Sequence, residues 1–323
     1  MSLIGQDSQI AAFRGAALSG RLHHAWLLTG PEGVGKASFA LEVATRLLAE
    51  ASGPAIDLPW PETPADHPIA HYVRAGSHPD LRILARLTRE KSDELARSIT
   101  VDQVRSLQGL FATTPSLSLR RVVIIDAIDD LERAAANALL KNLEEPPTGT
   151  VFLLISHAPG RLLPTIRSRC RLLRFGVLSD GEMALVLQRT LPDGARDEID
   201  ALIRAGEGSP GRALDFAGLD VGALDAAMDR LVHEGDRTNA LRAALSKQLA
   251  SKSAQGRYEA CLRRVPARIA AEARRRQGPA LAEALELWSE ARRVAESAVH
   301  LSLDPATTVF ELGTMLARLA PAD

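Results

Sequence analysis

The sequence predicts an α/β fold built on a doubly wound, mainly parallel sheet, followed by an all-helical remainder. Three observations predict it. The runs Ala25–Leu28, Leu81–Leu84, Val122–Ile125, Val151–Ile155 and Leu172–Phe175 are short and apolar, and helical patterns lie between them. Apart from Arg82 and Arg174 these runs hold no polar residue, as expected of strands covered on both faces. After Phe175 the strand signals stop.

The elements follow in order. Helices are expected over Ser38–Glu50, Val101–Phe111 and Leu131–Glu145. Thr100-x-x-Gln103 is a capping-box pattern that starts the second, and Pro146-Pro147 stops the third because neither can donate the next backbone bond. The segment Ser52–Pro68 carries five prolines without periodicity and reads as an inserted loop. Ser179 to about Leu219 reads as a small helical unit with turns at Leu191–Gly194 and Gly206–Gly211. From Asp220 onward everything reads helical. Leu281, Leu285, Trp288, Ala291, Ala295 and Ala298 recur at helical spacing and are expected to face a bundle core.

Composition narrows the function. With 39 Lys+Arg against 40 Asp+Glu, the chain lacks the charge of a general polyanion binder. Twelve aromatics among 323 residues leave few stacking platforms for single-stranded nucleic acid. Cys170 and Cys261 are too few for a disulfide framework or a four-cysteine zinc site. No apolar run approaches the roughly 18 residues of a membrane span, and Met1–Ile10 lacks the features of a secretory signal. A cytoplasmic protein is expected. Positive charge is almost all arginine, with lysine only at 36, 91, 141, 247 and 252.

Lys36 is placed for chemistry. Gly30-Pro-Glu-Gly33-Val-Gly35-Lys36 follows the first expected strand and opens a helix, the context of a phosphate loop. Its glycines let backbone N–H groups curl round phosphate oxygens, and the lysine reaches the outer phosphates. Two parts of a hydrolytic site are missing. The hydroxyl that would hold Mg²⁺ after the lysine is replaced by Ala37. The strand Val122–Ile125 ends in Asp126, but Ala127 stands where an ATPase carries the water-polarising glutamate.

Three further stretches carry a resemblance. Asn137-Ala-Leu-Leu-Lys-Asn-Leu-Glu-Glu-Pro-Pro147, Phe152-Leu-Leu-Ile-Ser-His-Ala-Pro159 and Thr165-Ile-Arg-Ser-Arg-Cys170 resemble the sliding-clamp loader branch of AAA+ proteins. Ile4-Gly-Gln and His23-His-Ala-Trp-Leu-Leu-Thr-Gly30 fit the same branch, so the motifs span about Leu3 to Phe175. The resemblance implies an AAA+ α/β domain over 1–176, a small helical lid over 177–220 and a helical collar over 221–323 that joins subunits in a ring. Within that branch the degenerate site points to the non-hydrolysing stator of the DNA polymerase III loader. The partners implied are the gamma/tau motor and delta subunits, with the sliding clamp and primer–template DNA reached through the complex and no membrane involved.

The resemblance also assigns residues. Ser168-Arg169-Cys170 matches the motif whose arginine is presented in trans to ATP on the adjacent motor subunit, making Arg169 the finger. Gly30, Gly33, Gly35, Lys36, Ala37, Asp126 and Ser156 form the degenerate nucleotide site, with Ser156 at the polar sensor position. Weak ATP or ADP binding without metal is compatible with these residues, and no cofactor is required. Gly208-Ser-Pro-Gly211-Arg212 puts glycine where motor subunits carry a γ-phosphate-sensing arginine. The stretch from Ser52 to Pro79 lacks the cysteines of the zinc module that related subunits carry, so no zinc is expected, and His67 and His71 read as loop residues. Arg105 is placed where this family faces the DNA backbone, although a solvated helix face explains it equally. Arg274–Arg276 reads first as a solvated or inter-subunit face. The chief rival is an active ATPase motor of the same ring, with Ser38 and Asp129 taking over the lost roles. An unrelated P-loop enzyme leaves the Asn137–Pro147 and Ser-Arg-Cys motifs unexplained.

Overall fold

The computed structural model describes residues 3–53, 56–88 and 95–321; Pro54 and Lys91 lie outside them. Contacts divide the chain into two compact units, Met1–Val186 with Gly208–Gly211, and Leu187–Glu207 with Arg212–Asp323.

The first unit contains α1 (Asp7–Leu18), β1 (Ala25–Thr29), α2 (Lys36–Ser52), α3 (Pro68–Arg74), β2 (Leu81–Ala85), α4 (Val101–Arg105), α5 (Leu107–Phe111), β3 (Arg121–Asp126), α6 (Arg133–Glu144), β4 (Thr150–Ser156), α7 (Pro164–Arg167) and β5 (Arg171–Arg174). The strands form one parallel sheet in the order β2-β3-β4-β1-β5. Alternation along β1 sends Ala25 and Leu27 to one face, where they join Leu107, Val123, Ile125, Leu139, Phe152 and Leu154. Trp26 serves the other face, with Phe13 of α1 at 4.5 Å between ring centroids; Phe13 in turn meets Phe39 of α2 at 5.9 Å. Helices thus cover both faces, and the α/β class read from the sequence is the one adopted.

Burial of the strands differs at the edges. β3 is buried up to Asp126 and β4 throughout, whereas β2 exposes Arg82 and Ile83, and β5 exposes Arg171, Leu172 and Arg174. An outermost strand has a neighbour on one side only, so the expectation of strands covered on both faces holds only for the interior. The expected helix over Val101–Phe111 is two short helices meeting at Ser106, whose Oγ donates to the Gln103 carbonyl at 2.7 Å. That carbonyl would otherwise accept the next helical bond. The proline-rich insertion ends in α3, which was not expected; Pro68 sits in its first turn and the His67 ring accepts from the Ile69 amide.

After α8 (Asp180–Thr190), the second unit holds α9 (Arg196–Gly206), the end of α10 (Pro210–Leu214), α11 (Val221–Glu234), α12 (Ala240–Leu249), α13 (Gln255–Ala273), α14 (Gly278–His300) and α15 (Pro305–Ala317). Its core takes Leu224, Met228 and Leu231 from α11, Val265 and Ile269 from α13, and Leu312 and Leu316 from α15. Arg264 of α13 grips Asp225 of α11 with two bonds of 2.6 and 2.7 Å. The buried stripe of α14 is Ala284, Leu287, Ala291, Val294 and Ala298, with Leu285 48% exposed. The expected face was therefore rotated: apolar residues occupy two phases of this helix, and packing chose the one through Leu287. Of Arg274–Arg276, Arg274 and Arg275 are exposed as a solvated face requires, while Arg276 is half-buried and donates to the Leu319 carbonyl.

Candidate functional site

The loop from Gly30 to Gly35 joins β1 to α2 at the end of the sheet where Thr29 faces Ser156 of β4, and Asp126 of β3 faces Ile155. In a doubly wound sheet this carboxyl edge is where ligands are received. Gly30 has φ 148°, and a Cβ there would stand 2.3 Å from the Phe175 carbonyl oxygen. Gly35 caps α2 at φ 98°, a conformation that a side chain would strain. The glycines are thus required by the path of the loop itself.

Lys36 is buried. Its Nζ donates to the Gly30 and Pro31 carbonyls at 2.7 and 2.5 Å. Desolvation lowers its pKa to about 8, against the opposing pull of Asp126, Glu32 and Asp129. Burial also raises the Asp126 carboxyl above its ordinary range, opposed by His157 and Lys36. Lys36 and Asp126 lie at the same edge of the sheet, near enough to act on each other electrostatically. Ala37 and Ser38 are both exposed at the start of α2, and Ala127 is buried.

Asp129 is fully engaged elsewhere. It sits in a single helical turn, Ile128–Asp130, and accepts from Ser156 Oγ at 2.9 Å, the His157 amide at 2.6 Å and the Ala158 amide at 3.3 Å. Ser156 is 0% exposed, so its hydroxyl is spent on fixing the turn after β4 to the turn after β3. A carboxylate with three donors in hand is poorly suited to polarise water, which weighs against the motor reading.

Two contacts on the loop were not legible beforehand. Buried Gln6 donates to the Val34 and Gly176 carbonyls at 3.2 and 3.3 Å, tying the phosphate loop to the chain leaving β5. The segment Gly208–Gly211 lies against the same loop. Ser209 Oγ donates to the Glu32 carbonyl at 2.8 Å and the Gly211 amide to the Gly33 carbonyl at 2.9 Å. A Cβ on Gly211 would stand 2.7 Å from Gly33 Cα. Backbone meets backbone here, so the glycine noted at the sensor position has a steric cause. Arg212 bonds Glu207 at 2.8 Å within the second unit.

Arg169 stands apart, between α7 and β5. Its Nη2 pairs with Glu144 at 2.7 Å and its Nη1 donates to the Thr165 carbonyl at 2.9 Å. Its neighbours anchor the backbone: Ser168 Oγ also donates to Thr165 O at 3.2 Å, and Cys170 packs against the core below the sheet. Burial pushes the Cys170 thiol up to about 12, so it acts as an apolar anchor. Arg105 is 68% exposed on α4 and pairs with Asp102 at 3.4 Å. His71 Nδ1 lies 3.1 Å from Arg74, and His67 caps α3.

A sequence profile described as "DNA polymerase III, delta subunit" matches residues 5–179, more than half of the chain. The chain belongs to this family. The "DNA polymerase III subunit delta'" of Pseudomonas aeruginosa is 40% identical over 60% of this chain and 56% of its own length. The "DNA polymerase III subunit gamma" of Buchnera aphidicola is 31% identical over 60% of this chain and 50% of its own. The chain thus matches only about half the length of these curated relatives. Among solved structures, a DNA polymerase III gamma subunit-related protein of Thermotoga maritima is 17% identical, with a TM-score of 0.47 over 92% of this chain and 94% of that one. No helix among the described residues is long and apolar enough to cross a membrane.

Proposed function

We propose that this chain is the delta-prime stator of a DNA polymerase III clamp loader, helping to place the sliding clamp on primed DNA. It is not an ATPase on its own. It presents Arg169 to ATP on the neighbouring gamma/tau motor and joins that subunit, delta, the clamp and primer–template DNA in one cytoplasmic complex. The division into an α/β domain (1–176), a lid (177–220) and a collar (221–323), and the facing of Arg105 to DNA, belong to the same proposal.

The observation that carries it is a contrast between two sites. Arg169 is intact and held by one hydrogen bond and one ion pair, whereas the phosphate loop has a methyl at 37, a methyl at 127 and a glycine packed on Gly33 at 211. The donor set around the loop does not fit a metal-bound nucleotide poised for hydrolysis, because position 37 offers no hydroxyl, position 127 no carboxylate, and Asp129 already holds three donors; Asp126 alone remains. A finger needs neither. It needs a fixed guanidinium where negative charge develops on the transferring phosphoryl group, a contribution of about 10³–10⁵ in rate.

The test is ATP turnover by the reconstituted loader, with clamp and primed DNA, comparing wild type with Arg169→Ala in this chain alone. A fall of at least about 10²-fold with the ring still assembled is expected. Unchanged turnover removes the finger from the account. ATP hydrolysis by the isolated chain, abolished by Lys36→Ala, would establish the motor reading instead.

A further inference from the structure

The Asn137–Pro147 motif ends in an acidic pair whose purpose the sequence leaves open. Glu144 is the last residue of α6. A carboxylate in a final helical turn faces the negative end of the helix dipole, which disfavours it. Such a breach of local preference points to a demand from elsewhere. The structure supplies the demand, since Glu144 meets Arg169 at 2.7 Å across 25 residues of chain. The guanidinium in turn lies at a helix end that favours a cation.

We infer that Glu144 is the positioning residue of the Arg169 finger. The inference rests on the proposed role of Arg169. A guanidinium carries five N–H donors in a rigid fork. The Thr165 carbonyl accepts from Nη1, and Glu144 pairs electrostatically with Nη2 at 2.7 Å, so the guanidinium is held at both Nη ends of the fork. Because Arg169 keeps 34% and Glu144 47% of side-chain exposure, the braced guanidinium is still reachable from outside. Thr165 alone holds one corner of the fork, and the plane can then turn about that bond. Glu144 removes this freedom.

A brace and a merely stabilising surface pair differ in magnitude. An exposed ion pair contributes little to stability, so Glu144→Ala shifts Tm by less than about 3 °C. Misplacing a transition-state group by about an ångström costs on the order of 10²-fold in rate. The experiment is ATP turnover by the assembled loader, with clamp and primed DNA, carrying Glu144→Ala, Glu144→Gln or Arg169→Ala in this chain. Assembly is checked by gel filtration and folding by Tm.

The expected result is a fall in kcat of about 10- to 100-fold for Glu144→Ala with KM for ATP little changed. Glu144→Gln keeps the length but not the charge and falls with Glu144→Ala, because Glu144 holds Arg169 as an ion pair. If Arg169→Ala abolishes turnover while Glu144→Ala matches or exceeds wild type, the positioning role is overturned and the finger stands. A loss in Glu144→Ala that tracks loss of the assembled complex, or of Tm, also overturns it. If Arg169→Ala has no effect, the finger reading itself fails, and the inference with it.

Discussion

Replacing Gly211 with alanine tests whether the segment 208–211 is held on the phosphate loop by direct backbone contact. The added Cβ would stand 2.7 Å from Gly33 Cα and 3.2 Å from Gly33 O. Comfortable carbon–carbon contact begins near 3.5 Å, so the two backbones must part by close to an ångström. Gly33 cannot yield by rotating a side chain, and its own φ is 76°. The Gly211–Gly33 hydrogen bond, 2.9 Å long, then leaves the useful range. Overpacking costs about 1–3 kcal/mol and the lost bond about 0.5–1.5 kcal/mol. Alanine in a helix returns about 1 kcal/mol, so the net loss is about 1–3 kcal/mol. For a unit of this size that is a fall in Tm of about 2–12 °C. Gly222→Ala is the control, because its Cβ would meet Ala201 Cβ at an ordinary 3.7 Å within the helical unit. It should leave Tm unchanged or slightly raised. Differential scanning calorimetry of the three proteins decides the matter. A Gly211→Ala protein as stable as wild type would refute the close contact and the steric reason given for glycine there.

Two other perturbations follow from the same site. Lys36 has a folded-state pKa of about 8 against an ordinary 10.5, so between these values the unfolded chain binds more protons and stability rises with pH. Wild-type Tm should therefore gain on that of Lys36→Met as pH climbs from about 8 to 10.5, and parallel Tm–pH curves would contradict the burial argument. Asp129→Ala strips the acceptor from buried Ser156 and from two backbone amides, and should lower stability by about 1–3 kcal/mol in denaturant titration. A neutral effect would free Asp129 for the catalytic duty that the motor reading gives it.

The strands were legible because four or five apolar residues between turn signals have few alternatives in a buried parallel sheet. Their edges were not, since burial depends on which strand lies outermost, and nothing in Leu81–Ala85 or Arg171–Arg174 announces the order β2-β3-β4-β1-β5. The helix at Pro68 was readable in principle from His67-Pro68, a cap followed by proline in the first turn, but the preceding prolines masked it. α14 shows the opposite failure. Its alanines fit two phases equally, and the larger side chains Leu285 and Trp288 suggested the face that packing did not choose. At the site, the loop and Asp126 were readable as a motif, but the uses to which Asp129, Gln6 and Gly211 are put depend on carbonyls and amides far away in sequence. The pairing of Glu144 with Arg169 is of that kind too.

On the proposed reading, the separation of the two sites lets Arg169 keep its role whatever the phosphate loop does. Among the described residues, every contact that fixes Arg169 comes from α6, from α7 or from the core beside β5: Glu144, the Thr165 carbonyl and the anchored Cys170. None comes from the phosphate loop, whose own contacts run to Gln6, to Ser209 and Gly211, and through Lys36 back to itself. Substitutions at 37, 127 and 211 therefore leave the support of the guanidinium untouched. The loop keeps its glycines because the chain path demands them even without a ligand: Gly30 against the Phe175 carbonyl and Gly35 at the start of α2. The phosphate loop thus also serves as the joint that packs β1, α2 and the 208–211 segment. A hydroxyl returned at 37 alone would still face a methyl at 127 and a carboxylate at 129 already holding three donors.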